Sequence, residues 1–109
     1  MTDADAADRL IVRLATMFPA AFTIDPASVQ PLRVGIFADL RRELGETFTA
    51  PQLSRALQKY TGSLVYLKKC KEGVPRIGLD GTPDGKVSVE HARRARAMRN
   101  WLELSGRLR

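Results

Sequence analysis

The stretch Pro75-Arg76-Ile77-Gly78-Leu79-Asp80-Gly81-Thr82-Pro83-Asp84-Gly85-Lys86-Val87 decides the fold. Asp-Gly between apolar residues marks a hairpin turn, because Asp bonds to nearby backbone and Gly tolerates a positive φ. A lone two-stranded hairpin is marginal in water, so this one must lie on other elements. Everything else in the chain reads as helix or connector.

On its C-terminal side, Ser88 is an N-cap and Glu90 suits the first turn of a helix running to about Leu104. Its expected core stripe is Ala92, Ala95, Met98 (or Ala97), Trp101 and Leu102. On the N-terminal side, Gly62 and Ser63 precede a short fourth helix or turn through Leu64, Tyr66 and Leu67. Before them Thr49 caps a third helix, with Pro51 in its first turn and Leu53, Ala56, Leu57 and Tyr60 on one face. A second helix is expected from about Val34 to Leu44, with Val34, Ile36, Phe37 and Leu40 inward and Gly45 as its stop. The first spans Ala7 to Phe18 through Leu10, Ile11, Leu14 and Ala15, and Pro19 ends it. Residues 19–32 hold three prolines and form a connector pinned by Ala20, Ala21, Phe22 and Ile24. The expected class is mostly α with a small β-hairpin, an α+β fold of about five helices. A flexible arm is expected over residues 1–6, one domain over 7–105 and a short basic tail over 106–109.

Composition narrows the function. The 109 residues suit one domain, long enough to hide roughly two-thirds of the unfolded surface. With a single cysteine, Cys70, no internal disulfide forms, which fits a reducing compartment. The acidic start and the absence of any long apolar run lead to the expectation of a soluble cytoplasmic protein. No heptad seam argues for a coiled coil, and a monomer is expected. The formal charge is +6 and unevenly placed: residues 1–30 carry two arginines against four aspartates, so residues 31–109 carry +8. Such a basic excess points to a polyanionic partner, though solubility alone accounts for many basic domains.

Catalytic chemistry finds no foothold. His91 and Cys70 are single residues with no zinc-ligand spacing, and the glycines of the hairpin do not form a phosphate loop. Cations beside Cys70 could favour its thiolate, but no base is placed to use it, and His91 reads as structural or surface. No enzyme, metal, cofactor or small-molecule substrate is expected.

The cations form three groups: Lys68, Lys69 and Lys71 after Tyr66; Arg93, Arg94, Arg96 and Arg99 on the last helix; and the scattered Arg33, Arg55, Lys59 and Arg76. A run of arginines is either a solvated face or a set of forks for phosphate oxygens. Tyr66 is either core or a stacking platform beside Lys68 and Lys69. Thr49 is either a plain cap or the start of an anion-binding helix end, with donors from Thr49, Ala50, Gln52 and Leu53.

Five segments then resemble one family. Pro31-Leu32-Arg33-Val34-Gly35-Ile36, Gln52 to Leu57, Tyr60-Thr61-Gly62-Ser63 with Tyr66-Leu67, the Arg76 to Gly85 hairpin, and His91-Ala92-Arg93-Arg94 are similar to ProQ/FinO domains, in order and at matching spacing. The resemblance covers about residues 8–100. It implies a mostly helical domain with a basic concave face that binds structured RNA, notably terminator hairpins with a single-stranded 3′ U-rich tail, as an RNA chaperone or post-transcriptional regulator. It places Arg33, Tyr66, Arg76, Arg93 and Arg94 at or near RNA contacts, and the RNA 3′ end at a helix cap, here Thr49 to Leu53. Basic residues usual on the family's third helix are replaced by Ala50, Ser54 and Gln58, with Arg55 and Lys59 carrying the charge instead. The chain reads as a minimal member without long basic extensions. The expected RNA-binding set is Arg33, Thr49, Gln52, Arg55, Lys59, Tyr66, Lys68, Lys69, Arg76, Arg93 and Arg94. The rivals are a module that docks its basic face on an acidic protein, and a small DNA-binding helical domain.

Overall fold

The computed structural model describes residues 3–107. Five helices and one hairpin follow in order: α1 (Asp3–Met17), α2 (Ile36–Leu44), α3 (Ala50–Thr61), α4 (Leu64–Lys69), β1 (Pro75–Ile77), β2 (Pro83–Lys86) and α5 (Val89–Arg107). The mostly helical class with a small hairpin is what the structure has. Two boundaries differ from the sequence expectation. Helix α1 begins at Asp3, taking in residues assigned to the arm, and α5 runs on to Arg107, taking in Gly106 and Arg107 of the expected tail. The rest of that arm and tail lie outside the described residues.

The core forms where α1 lies along α3. Leu10 and Leu14 of α1 meet Leu53, Ala56, Leu57 and Tyr60 of α3 in one buried cluster that also holds Phe22, Leu32, Ile36, Leu40 and Ile77. Burying each large aliphatic side chain is worth about 1.5–3 kcal/mol, so this cluster dominates the favourable side of folding. Two tyrosines tie the connector to it. The Tyr60 hydroxyl accepts from Thr23 N–H at 3.2 Å, and the Tyr66 hydroxyl accepts from Leu32 N–H at 2.8 Å. The rings meet in a short series, Phe22 edge-on to Tyr60 at 5.1 Å and Tyr60 tilted against Tyr66 at 5.9 Å.

The hairpin is not left to itself. Ile77 N–H donates to Pro31 C=O at 3.0 Å and Arg33 N–H donates to Ile77 C=O at 2.8 Å, so the end of the connector runs beside β1 as a third partner. At the turn, Asp80 Oδ1 accepts from Thr82 N–H at 2.9 Å and Gly81 adopts φ +82°. A Cβ on Gly81 would sit 2.9 Å from the Ala20 Cβ, so glycine lets the turn close onto the connector.

The second helix starts later than its apolar pattern suggested. Gly35, at φ +95°, turns the chain just before Ile36, and Val34 is left 65% exposed on that turn. Phe37 is also more than a third exposed, so the inward pair is Ile36 and Leu40 alone. On α5, Ala95 is buried and Ala92 and Leu102 are partly so, but Met98 and Trp101 face solvent, against their expected place in the core. The physical reason is length. Helix α5 packs on α4, which has only six residues, so nothing among the described elements reaches the outer turns of α5.

Candidate functional site

Three distant segments bring cations to one cleft. The end of the connector supplies Arg33, β1 supplies Arg76 and α5 supplies Arg94, and Tyr66 of α4 closes the floor. The cleft has a volume of about 570 Å³, and Leu32, Ile36, Ala95 and Met98 form its apolar walls. Bringing three guanidinium groups together costs Coulombic repulsion, and each is held by a different arrangement of partners.

Arg33 is clamped. Its Nε donates to Asp84 Oδ2 at 2.7 Å and its Nη1 to Asp39 Oδ2 at 2.9 Å. The Asp84 hydrogen bond, followed by the Asp39 charge, holds the guanidinium pKa above its ordinary value. A Cβ at Gly35 would stand 3.0 Å from Arg33 Nη1, so glycine there also leaves room for the fold-back of this side chain.

Arg76 is only partly partnered. Nη1 donates to Leu32 C=O at 2.9 Å, and Nη2 lies 3.0 Å from His91 Nδ1. Arginine has only donors, so His91 Nδ1 is the acceptor and the imidazole proton sits on Nε2. The third donor, Nε, is buried without a hydrogen-bond partner. A buried N–H without an acceptor costs about 1–3 kcal/mol, and the Tyr66 hydroxyl is the polar group nearest to offset it. Arg94 makes a 3.2 Å ion pair with Glu90 one turn away, both largely exposed and so weakly held.

Tyr66 is buried, at 6% exposure. Its ring is therefore a wall of the core and not an open platform, because α4 turns it inward from the Ser63 cap. Burial raises its phenol pKa, partly offset by the Leu32 N–H and the nearby Arg76 charge. Burial likewise raises the Cys70 thiol, against a small opposing pull from Arg76. Burial therefore works against the thiolate that the neighbouring lysines would favour.

The cap at Thr49 lies elsewhere. Helix α3 is twelve residues long, about 18 Å at 1.5 Å per residue, and the cleft meets its opposite end at Thr61 and Gly62. Thr49 and Gln52 also close their own donors. Thr49 N–H donates to Gln52 Oε1 at 2.8 Å, Gln52 N–H to Thr49 Oγ1 at 3.2 Å, and Leu53 N–H to Thr49 C=O at 3.1 Å. The cap thus bonds mostly to itself, and it stands a helix length away from the cleft of Tyr66 and Arg76. Gln52 and Arg55 line a smaller hollow of about 290 Å³ with Arg9, Arg13 and Phe48. Lys59 pairs with Asp8 of α1 at 2.8 Å. Arg93 and Lys68 are exposed outside the cleft lining, and Lys69 Nζ donates to Ala27 C=O at 3.2 Å.

His91 was not expected in the site. Its signal was the spacing of His91, Arg94, Ala95 and Met98, which share one helical face. Among the described residues no cluster of His, Cys, Asp and Glu could hold a metal ion, and no helix is long and apolar enough to cross a membrane.

Fold and site together define a small helical domain with a hairpin-backed cationic cleft. The ProQ/FINO family pattern matches residues 4–103, and the chain belongs to that family. It is 37% identical over 91 residues to the RNA chaperone ProQ of Haemophilus influenzae, covering 82% of this chain and 46% of that protein. It is 38% identical over 100 residues to the RNA chaperone ProQ of Shewanella oneidensis, covering 90% of this chain and 45% of that one. The chain thus spans less than half the length of these relatives. Among solved structures, a ProQ homolog from Legionella pneumophila superposes with TM-score 0.75 at 30% identity, over 92% of this chain and 84% of its own. NMB1681 of Neisseria meningitidis, a FinO-like RNA chaperone, shares the fold with TM-score 0.71 at 20% identity, over 93% of this chain and 82% of its own.

Proposed function

We propose that this domain binds structured RNA and takes its single-stranded 3′ end into the cleft of Arg33, Arg76, Arg94 and Tyr66. The observation that carries the reading is the convergence of three arginines, from three separate parts of the chain, on one cleft. Phosphate and terminal hydroxyl oxygens are acceptors that such a donor set satisfies. The relatives named RNA chaperone support the same class of ligand.

In this reading the cleft supplies shape and terminus recognition. Arg93, Lys68 and Lys69 flank it and meet phosphates of the adjoining stem, a duplex whose deep groove side chains read poorly. Arg33 fixes the shape of the cleft edge, since two carboxylates, Asp39 and Asp84, take its hydrogen bonds and offset its charge. Thr49, Gln52, Arg55 and Lys59 have no part in holding the 3′ end. The binding needs no cofactor, no bond is made or broken, and one copy of the domain suffices. The biological output is RNA chaperoning or post-transcriptional regulation of small RNAs and mRNA 3′ ends.

The test compares a terminator-type hairpin carrying a U-rich 3′ tail with a blunt hairpin and with duplex DNA of the same length, at several salt concentrations. The tailed RNA should bind tightest, and affinity should fall steeply as salt displaces phosphate contacts. Equal affinity for all three would overturn the 3′-end reading. Weak binding to every nucleic acid beside firm binding to an acidic protein would overturn RNA binding itself.

A further inference from the structure

On α5 the cleft lining reaches as far as Met98. On an α-helix Arg94, Met98 and Trp101 share a face at spacings of four and three, so Trp101 lies on the same side of α5, one turn beyond Met98 at the end of the cleft lining. Trp101 is 60% exposed and Met98 49%. An indole left in water forfeits one of the largest hydrophobic gains available to a side chain. Beside a cationic cleft, such a ring is the platform on which single-stranded bases stack, every base having a flat π-face.

We propose that Trp101 stacks on an unpaired nucleotide of the RNA whose 3′ end lies in the cleft, with Met98 as the apolar step between them. The proposal rests on the reading of the cleft given above. From Met98 at the end of the cleft lining to Trp101 is three residues of helix, about 4.5 Å along the axis. The stacked base is therefore one adjoining the nucleotides held in the cleft. The surroundings select a polyanion over a second copy of the chain. Helix α5 carries five arginines against two glutamates, so pairing two such helices face to face brings like charges together. An RNA strand meets the same arginines with opposite charge.

Trp101 is the single tryptophan of the chain, so its emission reports its own environment. The experiment titrates the protein with a hairpin bearing a 3′ single-stranded tail and follows tryptophan emission, alongside anisotropy of the labelled RNA. Emission should change and saturate together with binding, and change much less with the blunt hairpin. Trp101→Ala should weaken binding of the tailed hairpin on the order of tenfold, while Trp101→Phe retains most of it. Because the side chain is exposed, both variants should keep the wild-type helical circular dichroism. Tight, Arg76-dependent binding with unchanged emission and wild-type affinity in Trp101→Ala would overturn the stacking while leaving the cleft reading intact. An absence of RNA binding would overturn both. An emission change that follows protein concentration without RNA would overturn it in favour of self-association.

Discussion

The two ends of α3 hold contrasting cationic hollows. At the C-terminal end, Arg33, Arg76 and Arg94 arrive from distant segments, and Arg76 keeps a buried N–H without a partner. At the N-terminal end, Arg9, Arg13 and Arg55 lie around Phe48, but the neighbouring groups are already engaged. Arg13 lies 4.9 Å over the Phe48 ring, Lys59 pairs with Asp8, and the Thr49 cap is closed by Gln52. Equal positive charge therefore does not make equal sites. What differs is the origin of the charges: the C-terminal cleft gathers arginines from three distant segments, whereas the N-terminal hollow lies between two packed helices.

Substitutions can break this contrast. The largest expected effect is from Arg76→Ala, which removes a charged multi-donor group and should cut affinity for tailed RNA by about 10- to 100-fold, the equivalent of one or two charge-assisted hydrogen bonds. Equilibrium titration checks it, with Arg76→Lys restoring charge but not the planar fork. Next is Tyr66→Phe. It strands the buried Leu32 N–H, so thermal unfolding should show a loss of about 1–3 kcal/mol, with RNA affinity falling only as far as the cleft floor loosens. Gln52→Ala opens the capping box and should cost about 1 kcal/mol of stability with no change in RNA affinity. A large loss of affinity there would make the Thr49 end a second binding site. The smallest effect is expected from Asp84→Asn. It frees the Arg33 Nε and removes a negative charge at the cleft edge, and should raise RNA affinity by about twofold at low salt and less at high salt. Unfolding should change little, since the Asp84 side chain is mostly exposed.

Much of the architecture was legible because its signals are local. Asp80-Gly81 marks its own turn, Ser88 and Thr49 mark their helices, and the stripe on α3 follows from spacing alone. The cleft residues Arg33, Tyr66, Arg76 and Arg94 were picked out by resemblance. Their convergence was not legible in charge, because it depends on Ile77 pairing with the connector at Pro31 and Arg33. Trp101 and Met98 were misplaced for a different reason. Periodicity shows that a helix has an apolar face but not whether another element covers it, and α4 is too short to cover this one. The Thr49 cap shows the opposite failure. Its Thr-x-x-Gln spacing is itself the signature of a box that closes on its own donors, and the function read into its open N–H groups overlooked that.

The central claim is that the cleft and the RNA 3′ end meet. A double-mutant cycle tests it most directly, with affinity measured for wild type and Arg76→Ala, each with a tailed and a tail-less hairpin. Removing the tail should cost affinity in the wild type and almost nothing in Arg76→Ala. Equal losses in both proteins would mean that Arg76 and the tail act independently, and would contradict the claim.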